Sequence, residues 1–402
     1  MAKKNILYLS YTGLLEPLGQ SQVLNYLQRL SNNHTIYLIT FEKPGDLQDG
    51  EELERLRDQC REYHINWIPL TYHKNPRLLA TIYDMARFVL KAYGVIKKEH
   101  INVIHCRGYI PTFIGLCLKK LSKVPFIFDM RAFWPDEMVT AGRLKEDSLL
   151  YKMLKKLEAK CLKEADHVVT LTKAAEEFLT GKYSSEGMAD KITTIPTCVN
   201  LDLFSMNGQG QQKEQKSEMV LGSVGTVSGW FKIDWLFSFY KALKQRIPTI
   251  SLQFVSRDSA DFIKSEAEEN GVHPSELKIG SCTYQQVPGK MRNMTVGAFF
   301  FEPGFSKLGS APTRMGEFLA CGVPCVANSG VGDVAHIINK YKVGVVIDRT
   351  DETTLGEAVH ELSKLIEDPE LAKRCRYAAE DWFSVEKGVQ KYDQIYQGLS
   401  RN

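Results

Sequence analysis

The sequence predicts an α/β protein built from two doubly wound parallel-sheet domains. Its 402 residues exceed what one ordinary hydrophobic core covers, so two domains are expected. Both halves alternate short apolar strands with segments of helical periodicity, an order typical of parallel sheets covered by helices. Residues 205–218 form a polar stretch rich in glycine and glutamine, which we interpret as an interdomain linker.

The first domain is predicted over residues 1–204. Its strands are short apolar runs, and its first helix follows from the helical spacing of Val23, Leu24, Leu27 and Leu30. Strands are predicted at 5–10, 36–41, 101–105, 126–129, 168–171 and 192–195, and further helices at 78–99, 109–121 and 146–164.

The second domain is predicted over residues 219–384, where the same alternation starts again. Strands are predicted at 219–224, 251–255, 296–301, 325–328 and 343–347, and helices at 235–244, 260–270, 312–321 and 354–367. The final segment, 385–399, places Val389, Tyr392, Ile395, Tyr396 and Leu399 on one helical face.

Composition excludes several classes of protein. Hydrophobic residues make up 44% of the chain and charged residues 25%, which is the balance of a folded, water-soluble protein. The nine cysteines form no CxxC pair and the nine histidines have no metal-ligand spacing, so neither a disulfide framework nor a bound metal is predicted. The net charge of +3 is too small to indicate a nucleic-acid partner.

The apolar run near the start of the chain is too short for a signal-peptide core or a membrane span, so a cytoplasmic protein is expected. Six lysines of the first domain suit two interpretations. One is peripheral contact with the anionic cytoplasmic face of a membrane, and the other is an ordinary solvated surface. These lysines are Lys91, Lys97, Lys98, Lys119, Lys120 and Lys123.

Open parallel sheets bind ligands at the carboxyl ends of their strands, which selects the loop 11–21. Gly19, beside Gln20, lets the backbone approach a ligand, and Ser21 suits a helix cap with amide donors aimed at an anion or a hydroxyl. A plain strand-to-helix turn is the alternative interpretation.

The loop 129–137 follows the fourth predicted strand. Asp129 and Arg131 are two residues apart and point the same way in an extended chain. Arg131 suits a phosphate or a developing negative charge, and Trp134 offers a flat face to a sugar ring. The alternative is a structural Asp129–Arg131 network with a buried Trp134.

The most informative segment, 306–326, contains a helix with clear end signals. Pro312 suits its first position and Gly322 its C-terminal cap. The helix start, Arg314 and the preceding Lys307 predict a diphosphate site, because amides and cations converge there.

Thr313 and Glu317 share the polar side of this helix, and Glu317 suits two hydroxyls of a ribose. A surface helix with an Arg–Glu pair is the alternative. The glycine-rich loop 222–232, which includes Gly225 and Thr226, also lets the backbone come close to a ligand.

Over nearly its whole length the sequence resembles the GT-B glycosyltransferases, and most closely the retaining, glycogen-synthase-like family-4 group. Residues 316–326, GEFLACGVPCV, are similar to that group's EAMACGTPVV stretch, and residues 195–204, IPTCVNLDLF, to its IPNGVDLDRF signature. Residues 165–172, ADHVVTLT, resemble one of its strands. The resemblance implies two Rossmann-like domains facing a cleft, with the acceptor on the first, the donor on the second, and residues 385–402 crossing back onto the first.

Individual positions carry the resemblance further. Glu317 matches a family glutamate that contacts the donor ribose, whereas Gly309 stands where a second glutamate is expected. Thr226 occupies the position of a family arginine, and Phe231 lies near that of a family lysine, with Lys232 one place on. With these departures, the sequence resembles a branch of the family that contains bacterial polysaccharide-biosynthesis enzymes.

The implied activity is metal-independent transfer of a sugar, with retention, from a nucleotide-diphosphate sugar to a glycan or lipid-linked acceptor. Catalytic roles are expected for Arg131, where many members carry a histidine, and for Lys307 and Arg314, which would stabilise the leaving diphosphate. Donor contacts are expected from Glu317, Thr313, Gly225, Thr226 and Lys232, and acceptor or phosphate contacts from Gly19, Gln20, Asp129 and Trp134.

Three other functions remain open at this stage. A non-catalytic nucleotide-sugar-binding homologue would explain Gly309. A sugar-nucleotide epimerase or hydrolase of the same fold would need paired carboxylates or a poised histidine. A phosphate-sugar-binding protein is the third.

Overall fold

The computed structural model describes residues 3–73, 77–206 and 219–400. Its contacts divide the chain into one unit of residues 1–196 and 385–402 and another of residues 197–384. The division falls upstream of residue 204 because Phe204 is buried in the core of the second unit and the Val199 amide donates to the Phe383 carbonyl. Most of the predicted linker, 207–218, lies outside the described residues.

The first unit contains a sheet whose neighbouring strands are all parallel. The strands are β1 (Asn5–Ser10), β2 (Thr35–Glu42), β3 (Ile65–Thr71), β4 (Val103–Arg107), β5 (Phe126–Asp129), β6 (His167–Thr170) and β7 (Ile192–Thr194). Their spatial order is β3-β2-β1-β4-β5-β6-β7. Successive strands are added to one side of β1 up to β3 and to its other side from β4 onward. The carboxyl ends of β1 and β4 therefore form the switch point where such sheets bind ligands.

Helices cover this sheet, and their ends carry the expected sequence signals. The predicted helix 146–164 begins at Leu149, because the Ser148 hydroxyl accepts the Tyr151 amide as an N-cap. The helices are α1 (Pro17–Gly19), α2 (Asn25–Leu30), α3 (Gly50–Glu62), α4 (Arg77–Lys98), α5 (Tyr109–Ser122), α6 (Trp134–Thr140), α7 (Leu149–Glu164) and α8 (Lys173–Lys182), with a π-helical turn (Gln20–Leu24) between α1 and α2.

Strand β3 was not predicted, because Pro69 interrupts its pattern. Proline lacks an amide donor and is confined to sheet edges. β3 is an edge strand that pairs only with β2 among the described strands, so Pro69 is tolerated there.

The second unit repeats this topology with six parallel strands. They are β8 (Val220–Val224), β9 (Ser251–Val255), β10 (Leu277–Gly280), β11 (Val296–Phe299), β12 (Cys325–Asn328) and β13 (Gly344–Ile347). Their order is β10-β9-β8-β11-β12-β13, which places the switch point between β8 and β11. The short strand β10 was not predicted.

The helices of the second unit pack around a core of aliphatic and aromatic residues. The predicted helix 312–321 runs from Thr313 and ends in a Schellman motif, in which Gly322 has φ +74° and the Val323 amide reaches the Phe318 carbonyl. The helices are α9 (Ile233–Arg246), α10 (Ala260–Glu269), α11 (Val287–Arg292), α12 (Thr313–Ala320), α13 (Val334–Tyr341), α14 (Glu352–Ile366) and α15 (Leu371–Trp382).

The last helix, α16 (Val385–Gly398), packs against α2 within the first unit. Tyr392, Ile395 and Tyr396 of the predicted stripe are buried, and Val389 is half-buried. The Lys4 ammonium donates to the carbonyls of Tyr396 and Gln397, which fastens the end of α16 to the start of β1.

Candidate functional site

Two loops meet at the switch point of the second unit, one after β8 and one after β11. Phe231 and Phe301 form an antiparallel bridge between them. On either side, the Lys232 amide donates to the Phe300 carbonyl at 2.9 Å and the Glu302 amide to the Trp230 carbonyl at 3.0 Å. The predicted strand 296–301 therefore ends early, because its last residues pair with the loop after β8.

A carboxylate that sequence reasoning missed fixes the glycine-rich loop. Asp258, beyond the end of β9, accepts the amides of Val227 and Ser228 at 2.7 and 3.2 Å and the Ser228 hydroxyl at 3.0 Å. Burial alone would raise the pKa of Asp258, but these donors hold it below its usual value. The only sequence signal is an aspartate just past a strand end.

Arg314, in the first turn of α12, reaches back to this loop. Its Nη2 donates to the Thr226 carbonyl at 3.0 Å, and its guanidinium carbon lies 5.5 Å from the ring centroids of both Phe231 and Phe301. A Cβ on Gly225, which has φ +90°, would lie 2.9 Å from Nη2, so glycine is needed there. The structure thus brings three predicted residues together: Arg314, Gly225 and Thr226.

The other terminal nitrogen of Arg314, Nη1, is buried and has no hydrogen-bond partner among the described residues. Burial lowers the pKa of Arg314 to about 10, so the group is still cationic at neutral pH. A buried donor without a partner is costly, and an anionic ligand would satisfy it.

Glu317 lies one turn further along α12 and is 8% exposed. Burial raises the pKa of its carboxyl to about 7, an effect that nearby Arg314 only partly offsets. Within the described part of the chain no group donates a hydrogen bond to this carboxylate, so it is available to hydroxyl donors.

Lys307 belongs to a 3₁₀ turn, Phe305–Gly309, that precedes α12. The side chain is buried, and its Nζ lies 4.0 Å from the ring centroid of Trp230. This cation–π contact attaches the turn to the loop after β8 and keeps a second positive charge in the same region as Arg314. Gly309, at the end of the turn, is buried.

Two further predicted donor residues have different surroundings. Lys232 forms ion pairs with Asp234 at 3.4 Å and Glu302 at 3.6 Å, so its charge is already matched. Thr313 is the first residue of α12 and is half-buried, and the preceding Pro312 provides no side-chain cap.

In the first unit, Asp129 is the centre of a buried polar network. Its carboxylate pairs with Arg131 at 3.2 Å and His105 at 3.2 Å and accepts the Tyr392 hydroxyl at 3.2 Å. Burial raises the pKa of Asp129, but Arg131 and His105 outweigh burial and hold it well below its usual range. The Asp129–Arg131 pair predicted as a structural alternative is therefore present.

Trp134 begins α6 and is half-buried. Its ring centroid lies 5.6 Å from that of Tyr109, with the planes tilted by 46°. The indole is therefore supported on one side by an aromatic neighbour.

The loop after β1 differs from its prediction at Ser21 and gives Gly19 a packing role. A Cβ on Gly19 would lie 1.9 Å from the Gly13 carbonyl oxygen, so glycine is needed there for packing within the loop. The predicted cap at Ser21 is wrong, because the helix starts at Pro17 and the Ser21 hydroxyl donates to the Pro17 carbonyl. Gln20 donates to Glu52 at 3.1 Å and accepts from Arg55 at 3.2 Å.

Over the ranges 3–73, 77–206 and 219–400, no group of three or more histidine, cysteine or acidic side chains has the arrangement of a metal site. Across these ranges no helix is long and apolar enough to cross a membrane.

Comparison with known proteins agrees with this architecture. Residues 19–203 match the profile of Glycosyltransferase Family 4, and residues 208–382 match that of Glycosyl transferases group 1. An uncharacterized glycosyltransferase of Methanocaldococcus jannaschii, MJ1607, is 22% identical over 282 residues, which cover 67% of this chain and 68% of that protein.

Several solved structures share the fold at low sequence identity. HepE of Anabaena, solved with UDP and glucose, has a TM-score of 0.70 at 15% identity, with 98% of this chain and 100% of that chain covered. Sucrose-phosphate synthase of Thermosynechococcus elongatus has a TM-score of 0.71 at 17% identity, with 98% and 99% covered. WaaG, a glycosyltransferase involved in lipopolysaccharide biosynthesis, has a TM-score of 0.66 at 14% identity, with 96% and 99% covered.

Two parallel-sheet α/β domains in one chain define the GT-B class of fold, as predicted. With both domain profiles matched over most of its length, the chain belongs to the glycosyltransferases that combine a family-4 domain with a group-1 domain, and it is an enzyme of this type.

Proposed function

We propose that this glycosyltransferase uses a nucleotide-diphosphate sugar as donor and that its second unit binds the nucleotide. The observation that carries the proposal is a set of unsatisfied groups at one switch point. Nη1 of Arg314 lacks a partner in the described part of the chain, and the neighbouring Glu317 carboxylate receives no hydrogen bond there. An anion for the first group and hydroxyls for the second are what a nucleoside diphosphate provides.

Each group has a proposed contact. Glu317 accepts two ribose hydroxyls, because an ionised carboxylate acts only as an acceptor. Arg314, Lys307 and the amides at the start of α12, beside Thr313, surround the diphosphate. HepE has been solved with UDP and with UDP-glucose, which supports a uridine nucleotide as the first donor to test.

The proposed reaction breaks the bond between the anomeric carbon and the β-phosphate oxygen, and the bonding electrons stay on the phosphate. The acceptor hydroxyl oxygen forms the new bond on the same face, and its proton passes to the leaving phosphate, so configuration is retained. Arg314 and Lys307 stabilise the negative charge that grows on the leaving group. Because both are cations, we propose that no metal is required.

On the first unit, we propose that Arg131, Asp129 and Trp134 serve the acceptor side, which is a glycan or a lipid-linked sugar. Arg131 is held by Asp129, so its guanidinium has a fixed orientation. Trp134, supported by Tyr109, supplies an aromatic face suited to a sugar ring.

A screen of nucleotides tests the donor proposal. Melting temperatures are measured with UDP, GDP, ADP, TDP and CMP, each with and without EDTA. We expect one diphosphate to raise the melting temperature, by an amount that EDTA does not change, because only the folded state binds it. Arg314→Met should abolish the rise, whereas Arg349→Met, at an exposed position outside the site, should not. A rise that needs a divalent cation would refute metal independence.

Gly309 favours a second candidate function, a non-catalytic homologue that binds a nucleotide sugar. Glycine at this buried position removes a carboxylate that would hold sugar hydroxyls. The two candidates differ in turnover and not in binding, so the nucleotide screen is followed by detection of sugar transfer.

We further propose a cytoplasmic location with peripheral membrane contact through α4. Leu79, Ile82, Tyr83 and Leu90 are more than half exposed and share one side of this helix, next to the exposed Lys91. Cosedimentation with vesicles containing anionic lipid should exceed that with neutral vesicles. Leu90→Ser should weaken it, and equal recovery with both kinds of vesicle would contradict the proposal.

A further inference from the structure

Arg107 is a buried arginine that no sequence motif singled out. It is the last residue of β4 and lies in register with Ser10 of β1 and Asp129 of β5, at the switch point of the first unit. Arg107 is only 8% exposed, and its Nε is buried without a hydrogen-bond partner among the described residues. No described residue forms a hydrogen bond or an ion pair with its guanidinium.

The direction of the side chain follows from the strand. His105 and Arg107 are two residues apart in β4 and therefore project from the same face of the sheet. His105 contacts Asp129 and the Tyr396 hydroxyl on that face, at 3.2 and 2.7 Å. Arg107 thus lies beside the Asp129–Arg131 pair and closer to the carboxyl edge of the sheet.

The charges in this region do not balance. Among the described residues, Asp129 is the carboxylate that attracts both guanidinium groups, and it already contacts Arg131 and His105. Burial lowers the pKa of Arg107, and repulsion from Arg131 lowers it further. Burial also lowers the pKa of His105 and raises the pKa of Tyr8, so both groups favour their neutral forms. The neighbouring histidine and tyrosine therefore bring no compensating charge, and one positive charge is left over.

We propose that Arg107, together with Arg131, binds an anionic group of the acceptor, either a phosphate or a carboxylate. The inference rests on the proposed function in assigning the acceptor to the first unit. A guanidinium presents a planar fork of donors that matches both oxyanions. The charges of the donor diphosphate are met by Arg314 and Lys307 in the second unit, so the excess charge here serves a second anion. The acceptor class is therefore a sugar carried on a lipid phosphate or diphosphate, or a glycan with an acidic sugar.

Binding of inorganic phosphate tests the site without requiring transfer. Its dissociation constant is measured from melting temperatures at constant ionic strength, with chloride as the reference and saturating UDP present to occupy the donor site. We expect Arg107→Met to weaken phosphate binding by about 10- to 100-fold, the loss typical of a hydrogen-bonded charge pair. Arg107→Lys, which keeps the charge, should give a smaller loss and covers the case in which the methionine variant does not fold.

Arg61→Met is the matched control, because Arg61 is an exposed arginine of the same unit on α3. It should leave phosphate binding unchanged. Equal phosphate affinity in wild type and both Arg107 variants would overturn the anion site. If Arg107→Met weakened UDP binding by the same factor as phosphate binding, Arg107 would belong to the donor site. That result would overturn the acceptor assignment.

Transfer assays then separate the two sources of the anion. Three synthetic acceptors are compared. Two carry the same sugar, one on an alkyl diphosphate and the other on an uncharged alkyl chain. The third is an alkyl glycoside of a uronic acid. The wild type should prefer one anionic acceptor to the neutral one, and Arg107→Met should lose about 10- to 100-fold in kcat/KM for that acceptor alone. Equal use of neutral and anionic acceptors would overturn the inference and leave the proposed function intact. Phosphate binding that depends on Arg107, without transfer to any acceptor, would instead reject the proposed function.

Discussion

Replacing Glu317 by glutamine should stabilise the ligand-free protein while weakening nucleotide binding. The side chain is 8% exposed, and burial raises the pKa of its carboxyl from 4.5 to about 7. At about 1.4 kcal/mol per pKa unit, ionising Glu317 in the folded state costs roughly 3 kcal/mol more than in the unfolded chain.

The sign of the effect follows from proton binding. The folded protein holds the Glu317 proton more tightly than the unfolded chain, so the free energy of unfolding falls as the pH rises from about 4.5 to about 7. Glutamine has no charge to bury. Above pH 7.5, Glu317→Gln should therefore melt higher than wild type by about 6 to 12 °C, an upper bound for a unit of this size, and the difference should disappear near pH 4.5.

The assay is a pair of melting curves from pH 4.5 to 8.5, accompanied by calorimetric titration with the diphosphate that the screen selects. Nucleotide affinity should fall by about 10- to 100-fold, because glutamine offers one acceptor oxygen where the carboxylate offers two. Glu357→Gln, at an exposed position on α14, is the control and should change neither quantity. A melting difference that is the same at every pH would refute the assignment of a buried, destabilising carboxylate.

Three further predictions test the donor site. Arg314→Ala should lower turnover, measured from steady-state rates, by about 100-fold or more, because one donor that stabilises the leaving group is lost. Unchanged turnover would remove Arg314 from the mechanism. Gly225→Ala and Gly229→Ala both place a Cβ at positive φ, but only the Cβ at position 225 would clash with the Arg314 guanidinium. Calorimetric titration should therefore show weaker nucleotide binding for Gly225→Ala alone. Asp258→Asn should lower the free energy of unfolding, measured in urea, by about 1 to 3 kcal/mol, because the amide donors of the glycine-rich loop lose their carboxylate acceptor. A decrease below about 0.5 kcal/mol would contradict this role of Asp258.

The sequence was sufficient for the features that depend on local pattern. Alternating apolar runs gave most strands, and Gly322 and Pro324 marked the end of α12 within a residue. The sequence assigned Arg314, Gly225 and Thr226 to the donor side one by one, whereas their contact appears only in the structure, where the loops after β8 and β11 meet at a switch point. Strand β3 was missed because an edge position, which only the fold reveals, makes Pro69 acceptable.

Features that depend on pairing in three dimensions were not predicted. Asp258 acts on a loop some thirty residues away in the chain, and nothing near it marks that role. The role proposed for Arg107 becomes visible only in the fold, because the pairing of β4 with β5 places it beside Asp129, a carboxylate that already pairs with Arg131. The packing of Gly19 against Gly13 was also not predicted, because a glycine that loop packing requires has the same sequence signature as one that approaches a ligand.

Sugar transfer itself is tested most directly by following the reaction with proton NMR. The wild-type chain is incubated in EDTA with the selected nucleotide sugar and the alkyl-linked acceptors, and the anomeric signals of donor and product are recorded over time. We predict that the donor signal decays while a product signal with the same anomeric configuration grows. A nucleotide that binds while the donor signal stays constant with every acceptor would contradict the proposed reaction and favour the non-catalytic homologue.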